Sequence, residues 1–162
     1  QTLIDVADIL KKEGKNNIRI IIYGEGTERE KLEKQCKDKK LNVFFRGRVE
    51  KKYIPYIVSK ANLNLINVKN SSLIKYGGSW NKLFEYMAGG KPILSNLPGN
   101  YDLIKEYNLG ISETFANAQE YAKQIVKIAE LNEKNYREMC DNAKRTSLLF
   151  DYKKHTNDLY NY

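Results

Sequence analysis

The segment with the clearest chemical pattern runs from Tyr76 to Pro92 and reads YGGSWNKLFEYMAGGKP. Gly77 and Gly78 leave the backbone free to approach a ligand, and Ser79 is a favourable N-cap for the helix that should follow. The N–H groups at a helix start, here Trp80 to Lys82, have no partner within the helix and lie at the positive end of its dipole. The segment therefore predicts a binding site for an anionic group.

A carboxylate lies one turn further along this predicted helix, at Glu85. Helical spacing places one apolar face against the core, and that face consists of Trp80, Leu83, Phe84 and Met87. The opposite face carries Asn81, Lys82, Glu85, Ala88 and Gly89. Glu85 is placed to accept hydrogen bonds from a vicinal diol such as that of ribose. An ordinary surface glutamate paired with Lys82, three residues earlier, is the alternative, and the residues alone leave both interpretations open.

Short β-rich runs alternate with helical patterns along the chain. A helix near residues 3–10 ends at Gly14, and the nearly continuous apolar run Ile18–Tyr23 predicts a strand buried on both faces of a parallel sheet. A glycine turn, Gly24-Glu25-Gly26, follows this strand. Thr27 and Glu30 then have the spacing of a capping box that opens a helix to about residue 39.

Later strands are predicted at Val43–Phe45, Leu63–Val68 and Ile93–Ser95, with helices between them. This alternation predicts one α/β domain, residues 1–162, with a doubly wound parallel sheet and C-terminal helices over about 117–162. Ligands of such sheets bind at the carboxyl ends of the strands. The candidate loops are Gly24–Thr27, Gly47–Val49, Lys69–Trp80 and Asn96–Asn100.

Several kinds of site are disfavoured by the sequence. The Gly24 turn begins like a dinucleotide-binding fingerprint, but Arg29 stands where the third glycine belongs. No P-loop string occurs, and no Asp-x-Asp pair that would hold a divalent ion on a diphosphate. With a single histidine, His155, and two distant cysteines, the chain has neither a His-dependent triad nor metal-ligand spacing.

The chain of 162 residues has 28 Lys+Arg against 20 Asp+Glu, a formal net charge of +8. This excess favours anionic partners: nucleotide phosphates, nucleic acid or an acidic membrane surface. Nucleic acid is disfavoured because the basic residues are scattered among acidic ones. Lys11, Lys12, Lys153 and Lys154 could face an anionic inner leaflet. The chain opens inside a helical pattern without an initiator methionine, so we interpret it as a fragment of a longer protein.

The segment from Ser79 to Pro92 closely resembles the donor-binding motif of family 4 retaining glycosyltransferases of the GT-B fold, in particular those of bacterial surface-polysaccharide assembly. The resemblance covers essentially the whole chain. Flanking segments that resemble the family, in order, are Ile21–Gly26, Val43–Val49, Ala61–Leu65 and Gly99–Gly110. It implies a chain that is the C-terminal half of a GT-B enzyme, a Rossmann-like domain.

The resemblance implies a role for each part of the motif. Glu85 would bind the donor ribose, and the backbone amides of Ser79, Trp80, Asn81, Lys82 and Leu83 would hold the diphosphate and sugar. Gly47, Arg48 and Val49 would lie along the base, while Gly24, Glu25 and Gly26, with Gly77 and Gly78, would line the donor cleft. Many family members have a glutamate at the position of Gly77, so the identity of the donor sugar stays open.

The resemblance also implies an activity. A nucleotide-diphosphate sugar, UDP- or GDP-linked, would be the co-substrate of a retaining transfer that needs no metal or other cofactor. The acceptor, a glycan or a lipid-linked one, would bind mainly to the missing N-terminal domain, and no catalytic residue is assigned. The enzyme would be cytoplasmic or peripheral on the inner face of the plasma membrane. We expect the fragment to bind the sugar nucleotide weakly and to transfer nothing alone. A non-catalytic nucleotide-binding module of the same fold is the main alternative.

Overall fold

A computed structural model of the chain describes residues 1–68, 81–97, 102–151 and 156. The helices in this part are α1 Thr2–Lys12, α2 Arg29–Asp38, α3 Ile54–Lys60, α4 Asn81–Ala88, α5 Leu103–Glu106, α6 Ala118–Ala129 and α7 Glu133–Leu149. The strands are β1 Ile20–Tyr23, β2 Val43–Gly47, β3 Asn64–Ile66, β4 Ile93–Ser95 and β5 Gly110–Ser112, and a single 3-10 turn lies at Lys51–Tyr53. Among the described helices, none has the length and apolarity that a membrane crossing requires.

The chain divides into two compact units. The first contains Gln1–Tyr53 and Phe115–Val126, and the second contains Ile54–Thr114 and Lys127–Tyr162. In the first unit β1 and β2 pair in parallel, with Ile20 opposite Val43. The predicted helix before β1 forms as α1, which buries residues at helical spacing: Ile4, Val6, Ala7 and Leu10.

The burial predicted for the first strand is wrong on one face. Ile20 is buried, but Ile21 is 51% exposed and Tyr23 is 41% exposed. Phe44 of β2, directly opposite Ile21, is 40% exposed as well. Alternate residues of a strand point to opposite faces, so one face of this two-stranded sheet is apolar and open among the described residues.

The second unit contains a three-stranded parallel sheet in the order β3-β4-β5. Asn64 lies opposite Ile93, which lies opposite Gly110 on the other side. One cluster of buried side chains forms the core of this unit: Ile66, Leu83, Met87, Ile93, Leu103, Ile104, Leu109 and Ala143. The parallel pairing in both sheets confirms the predicted α/β class.

Two of the helix starts can be compared with caps predicted from the sequence. Asn117 accepts a hydrogen bond from the N–H of Glu120 at 3.0 Å, and the Glu120 carboxylate accepts one from the N–H of Ala116 at 2.8 Å. The spacing of Asn117 and Glu120 in the sequence predicts this cap of α6, and the two bonds confirm it. The box predicted from Thr27 and Glu30 is wrong, because α2 begins at Arg29 with Glu28 as N-cap and no side-chain capping bond.

Candidate functional site

The turns that follow β1 and β2 lie side by side in the first unit. Gly24 donates its amide N–H to the carbonyl oxygen of Gly47 at 2.7 Å. The strand register shifts at this end, so that Tyr23 lies opposite Gly47 and Arg46 is the extra residue of a β-bulge. The structure thus brings together the two loops that the sequence predicts to line one ligand cleft.

Gly47 has a backbone conformation that favours glycine, and two side chains lie close to its Cα. Its φ is +69°, in the left-handed region. A Cβ built there would lie 3.0 Å from Oε1 of Glu25 and 3.1 Å from Nη1 of Arg29. Beyond this turn Arg48 is exposed and Val49 is half-buried. The chain after β2 therefore begins beside the Glu25–Arg29 pair, and the side chain of Arg48 lies in solvent.

Glu25 is held by an ion pair. Arg29 contacts Oε1 of Glu25 through Nη1 at 2.5 Å and Oε1 of Glu33 through Nε at 3.1 Å. The hydrogen bond to Glu25, followed by that to Glu33, raises the pKa of the Arg29 guanidinium above its ordinary value. In the sequence, Arg29 served only as evidence against a dinucleotide fingerprint. In the structure it also connects the first turn of α2 to both glycine turns.

Helix α4 carries the most specific part of the predicted motif. Its core face consists of Leu83 and Met87, with Tyr86 half-buried at the edge. The prediction that Phe84 belongs to this face is wrong: Phe84 is 37% exposed, and its ring centroid lies 5.4 Å from that of Phe150. The buried stripe is centred on positions 83 and 87, so position 84, about 100° further round the helix, lies on its flank.

Glu85 is half-buried on the face of α4 away from Leu83, and Asn81 and Lys82 on that face are exposed. Within the described residues the Glu85 carboxylate forms neither a hydrogen bond nor an ion pair. The alternative of an ion pair with Lys82 is therefore not realised in this part of the structure. A carboxylate in this position can accept hydrogen bonds from a ligand.

Tyr86, next to Glu85, ties α4 to the sheet of the second unit. Its hydroxyl donates to the carbonyl oxygen of Leu65 at 3.4 Å. Burial, and then the negative charge of Glu85, raises the pKa of Tyr86 above its ordinary value of 10.0. Tyr86 is therefore a neutral hydrogen-bond donor that links α4 to β3.

Asn96 is a residue whose contacts the sequence did not predict. Its side chain bonds both backbone groups of Val68, the last described residue before Asn81. The sequence predicted only that Asn96 begins a candidate loop. An asparagine after a strand is a general turn signal, and it does not identify a bonding partner in a distant segment.

Part of the predicted site lies outside the described residues. This applies to Gly77, Gly78, Ser79 and Trp80, and to residues 98–100 of another candidate loop. Their roles stay predictions. Asn81, Lys82 and Leu83 are the first described residues of α4.

Parallel strands and the helix-borne motif define a Rossmann-like α/β protein. The family model of glycosyl transferases group 1 matches residues 1–146. The chain belongs to this family, which confirms the predicted resemblance to GT-B glycosyltransferases at the level of the family. A search of the curated proteins gave no match.

Solved glycosyltransferase-like structures share the fold. A TarM mutant from S. aureus, in complex with fondaparinux, alpha-GlcNAc-glycerol and UDP, is 24% identical with a TM-score of 0.73 and matches 93% of this chain and 29% of its own. WaaG, a glycosyltransferase involved in lipopolysaccharide biosynthesis, is 19% identical with a TM-score of 0.68, over 90% of this chain and 38% of its own. HepE from Anabaena, in complex with UDP and glucose, is 18% identical with a TM-score of 0.74, over 99% of this chain and 44% of its own.

The chain spans less than half the length of each of these solved proteins. At these identities the likeness establishes the fold. It confirms the predicted Rossmann-like class.

Proposed function

We propose that this chain is the donor-binding half of a retaining GT-B glycosyltransferase of surface-polysaccharide synthesis. Its ligand is a nucleotide-diphosphate sugar, UDP- or GDP-linked, and its acceptor is a glycan or lipid-linked molecule held mainly by a further N-terminal domain. Membership of the glycosyl transferases group 1 family supports this proposal. The structures of TarM with UDP and of HepE with UDP-glucose favour a uridine nucleotide.

The observation that carries the proposal is the half-buried carboxylate of Glu85, which has no hydrogen bond or ion pair among the described residues. A ligand that supplies hydrogen-bond donors to this carboxylate would form charge-assisted bonds with it. The two hydroxyls of ribose form a pair of donors with the spacing of one carboxylate. Tyr86 holds the helix at this point through its bond to Leu65, so the carboxylate is presented by a fixed element.

The remaining donor contacts are those that the resemblance to the family implies. The amides of Asn81, Lys82 and Leu83, with those of Ser79 and Trp80, would hold the diphosphate, because helix-terminal N–H groups favour anions. Gly47–Val49 would lie along the base. Gly24–Gly26 would line the cleft, with its first amide bonded to Gly47.

This arrangement assigns the chain a definite chemical task. As the bond between sugar and diphosphate breaks, negative charge grows on the departing nucleotide. Preorganised amide dipoles stabilise such a charge more in the transition state than in the ground state. We propose that α4 performs this task without a metal ion, and that the chain alone transfers no sugar because the acceptor-binding part is elsewhere.

The proposal is tested by thermal unfolding of the chain with UDP, GDP, CDP and their glucose or mannose conjugates. A nucleotide at about 100 times its dissociation constant adds roughly 2.7 kcal/mol of stability. For a chain of this size that corresponds to a rise in Tm of about 5–10 °C. A rise with one nucleotide, and no rise with mixed oligonucleotides, is expected. No rise with any nucleotide at millimolar concentration would contradict donor binding by this chain.

A further inference from the structure

The guanidinium of Arg29 lies at the meeting point of three elements of the first unit. It pairs with Glu25 in the turn after β1 and with Glu33 one turn further along α2. Its Nη1 also lies against the left-handed turn at Gly47, where an added Cβ would approach it to 3.1 Å. One side chain thus connects the helix to both glycine turns.

This arrangement differs from an ordinary helix ion pair in the same chain. Arg137 and Glu133 have the same i,i+4 spacing and the same distance of 2.5 Å, but their side chains are 74% and 76% exposed. The Arg29 side chain is 29% exposed, while its partners Glu33 and Glu25 are 30% and 55% exposed. Exposed pairs contribute little to stability, whereas a partly buried guanidinium with two carboxylates holds its partners in a defined geometry.

The ion pair of Arg29 borders the turn at the end of β2. Gly47 follows the bulged residue Arg46, and its carbonyl oxygen accepts the N–H of Gly24 at 2.7 Å. The Glu25 carboxylate and the Arg29 guanidinium together fill the space beside the Cα of Gly47. Loss of the guanidinium would remove the ion-pair partner of Glu25 and one of the two side chains beside Gly47.

We propose that Arg29 is a positioning residue that, through Glu25, fixes the Gly47–Val49 loop in the conformation that receives the nucleotide. This inference rests on the proposed function for the identity of the ligand. Binding then benefits because the loop is ordered before the nucleotide arrives, so that less conformational entropy is lost on association. Arg29 itself touches no ligand in this account.

The experiment compares Arg29→Met and Arg29→Lys with the matched variant Arg137→Met in the full chain. The dissociation constant for UDP is measured by calorimetry, and amide hydrogen exchange of Gly24 is measured without nucleotide. Arg29→Met should weaken UDP binding about tenfold, which is 1.4 kcal/mol, and should accelerate exchange at Gly24. Arg29→Lys, which keeps the charge without the planar fork, should restore part of both effects, and Arg137→Met should change neither.

Two outcomes overturn the inference, and they are separable from a failure of the proposed function. If the unsubstituted chain binds UDP and Arg29→Met binds it equally well, the inference is wrong and donor binding stands. If the unsubstituted chain binds neither UDP nor GDP, the proposed function fails, and the role in nucleotide binding fails with it. The exchange at Gly24 then still reports on the local claim, which an unchanged rate in Arg29→Met refutes. Should Arg29→Met fail to fold, Glu33→Gln, which removes the second carboxylate partner of the guanidinium, supplies the comparison.

Discussion

Asn96 holds Val68 by two hydrogen bonds of equal length. The side-chain Oδ1 of Asn96 accepts the N–H of Val68 at 2.8 Å, and its Nδ2 donates to the carbonyl oxygen of Val68 at 2.8 Å. The bond pair joins the end of β4 to the backbone that follows β3. It fixes the place from which the chain departs toward the motif on α4.

Replacing Asn96 by Asp tests how much this bond pair contributes. The new carboxylate oxygen would face the Val68 carbonyl where an N–H donor stood, so we expect a loss of about 1–3 kcal/mol of unfolding free energy at pH 7. Urea unfolding measures it. Asn67→Asp, an exposed position nearby, is the matched control for the change in charge. The difference between the two variants should shrink below about pH 4, where a protonated Asp can donate again; equal losses at pH 7 would count against the bond pair.

The effect of side-chain crowding at Gly47 can be separated from the effect of its left-handed backbone. Gly14 and Gly47 have similar φ values, +74° and +69°, but nothing lies within 4 Å of a Cβ added to Gly14. Gly14→Ala should therefore cost only the left-handed strain, about 1 kcal/mol. Gly47→Ala should cost more, because the methyl group meets the Glu25 and Arg29 side chains. Denaturant unfolding of both variants decides this, and equal losses would show that the contacts at Gly47 give way freely.

Whether a structural feature could be predicted from the sequence depends on how far apart its residues lie along the chain. Local patterns predicted α1, the glycine that ends it, the cap of α6 and the core face of α4 at Leu83 and Met87. The capping box predicted from Thr27 and Glu30 is not formed, since α2 begins later, at Arg29. In this helix Arg29 pairs with Glu25.

Contacts between distant segments could not be read from local pattern. The bond between Gly24 and Gly47 and the bond pair of Asn96 with Val68, 28 residues apart, depend on strand pairing and on a bulge. Nothing in the residue types alone chooses these partners. Glu85 was placed on the correct helix face by periodicity, but its lack of an ion pair with Lys82 emerged only from side-chain geometry.

Tyr86 gives the second unit a dependence on alkaline pH. Burial and the charge of Glu85 raise the pKa of its hydroxyl above 10.0, the value it regains on unfolding. The unfolded chain therefore releases this proton at a lower pH than the folded chain. Stability should be full below pH 10 and should fall as the pH rises through the raised pKa of the folded state.

Tyr86→Phe should remove this part of the alkaline loss. We expect its unfolding free energy to fall less than that of the unsubstituted chain between pH 9 and pH 11, both measured by urea unfolding. Below pH 10 the variant lacks only the long hydrogen bond to Leu65 and should be slightly less stable. Parallel curves for the two proteins would contradict the assignment to Tyr86.

The contact between Glu85 and a ribose is tested most directly by removing each partner separately. The dissociation constants of UDP and 2′-deoxy-UDP are measured for the unsubstituted chain, for Glu85→Gln and for the control Glu138→Gln on the exposed side of α7. A hydrogen bond to a charged group supports a preference for UDP of roughly tenfold or more. We expect that preference in the unsubstituted chain and in Glu138→Gln, and its loss in Glu85→Gln. An equal preference for UDP in Glu85→Gln would show that Glu85 does not hold the ribose.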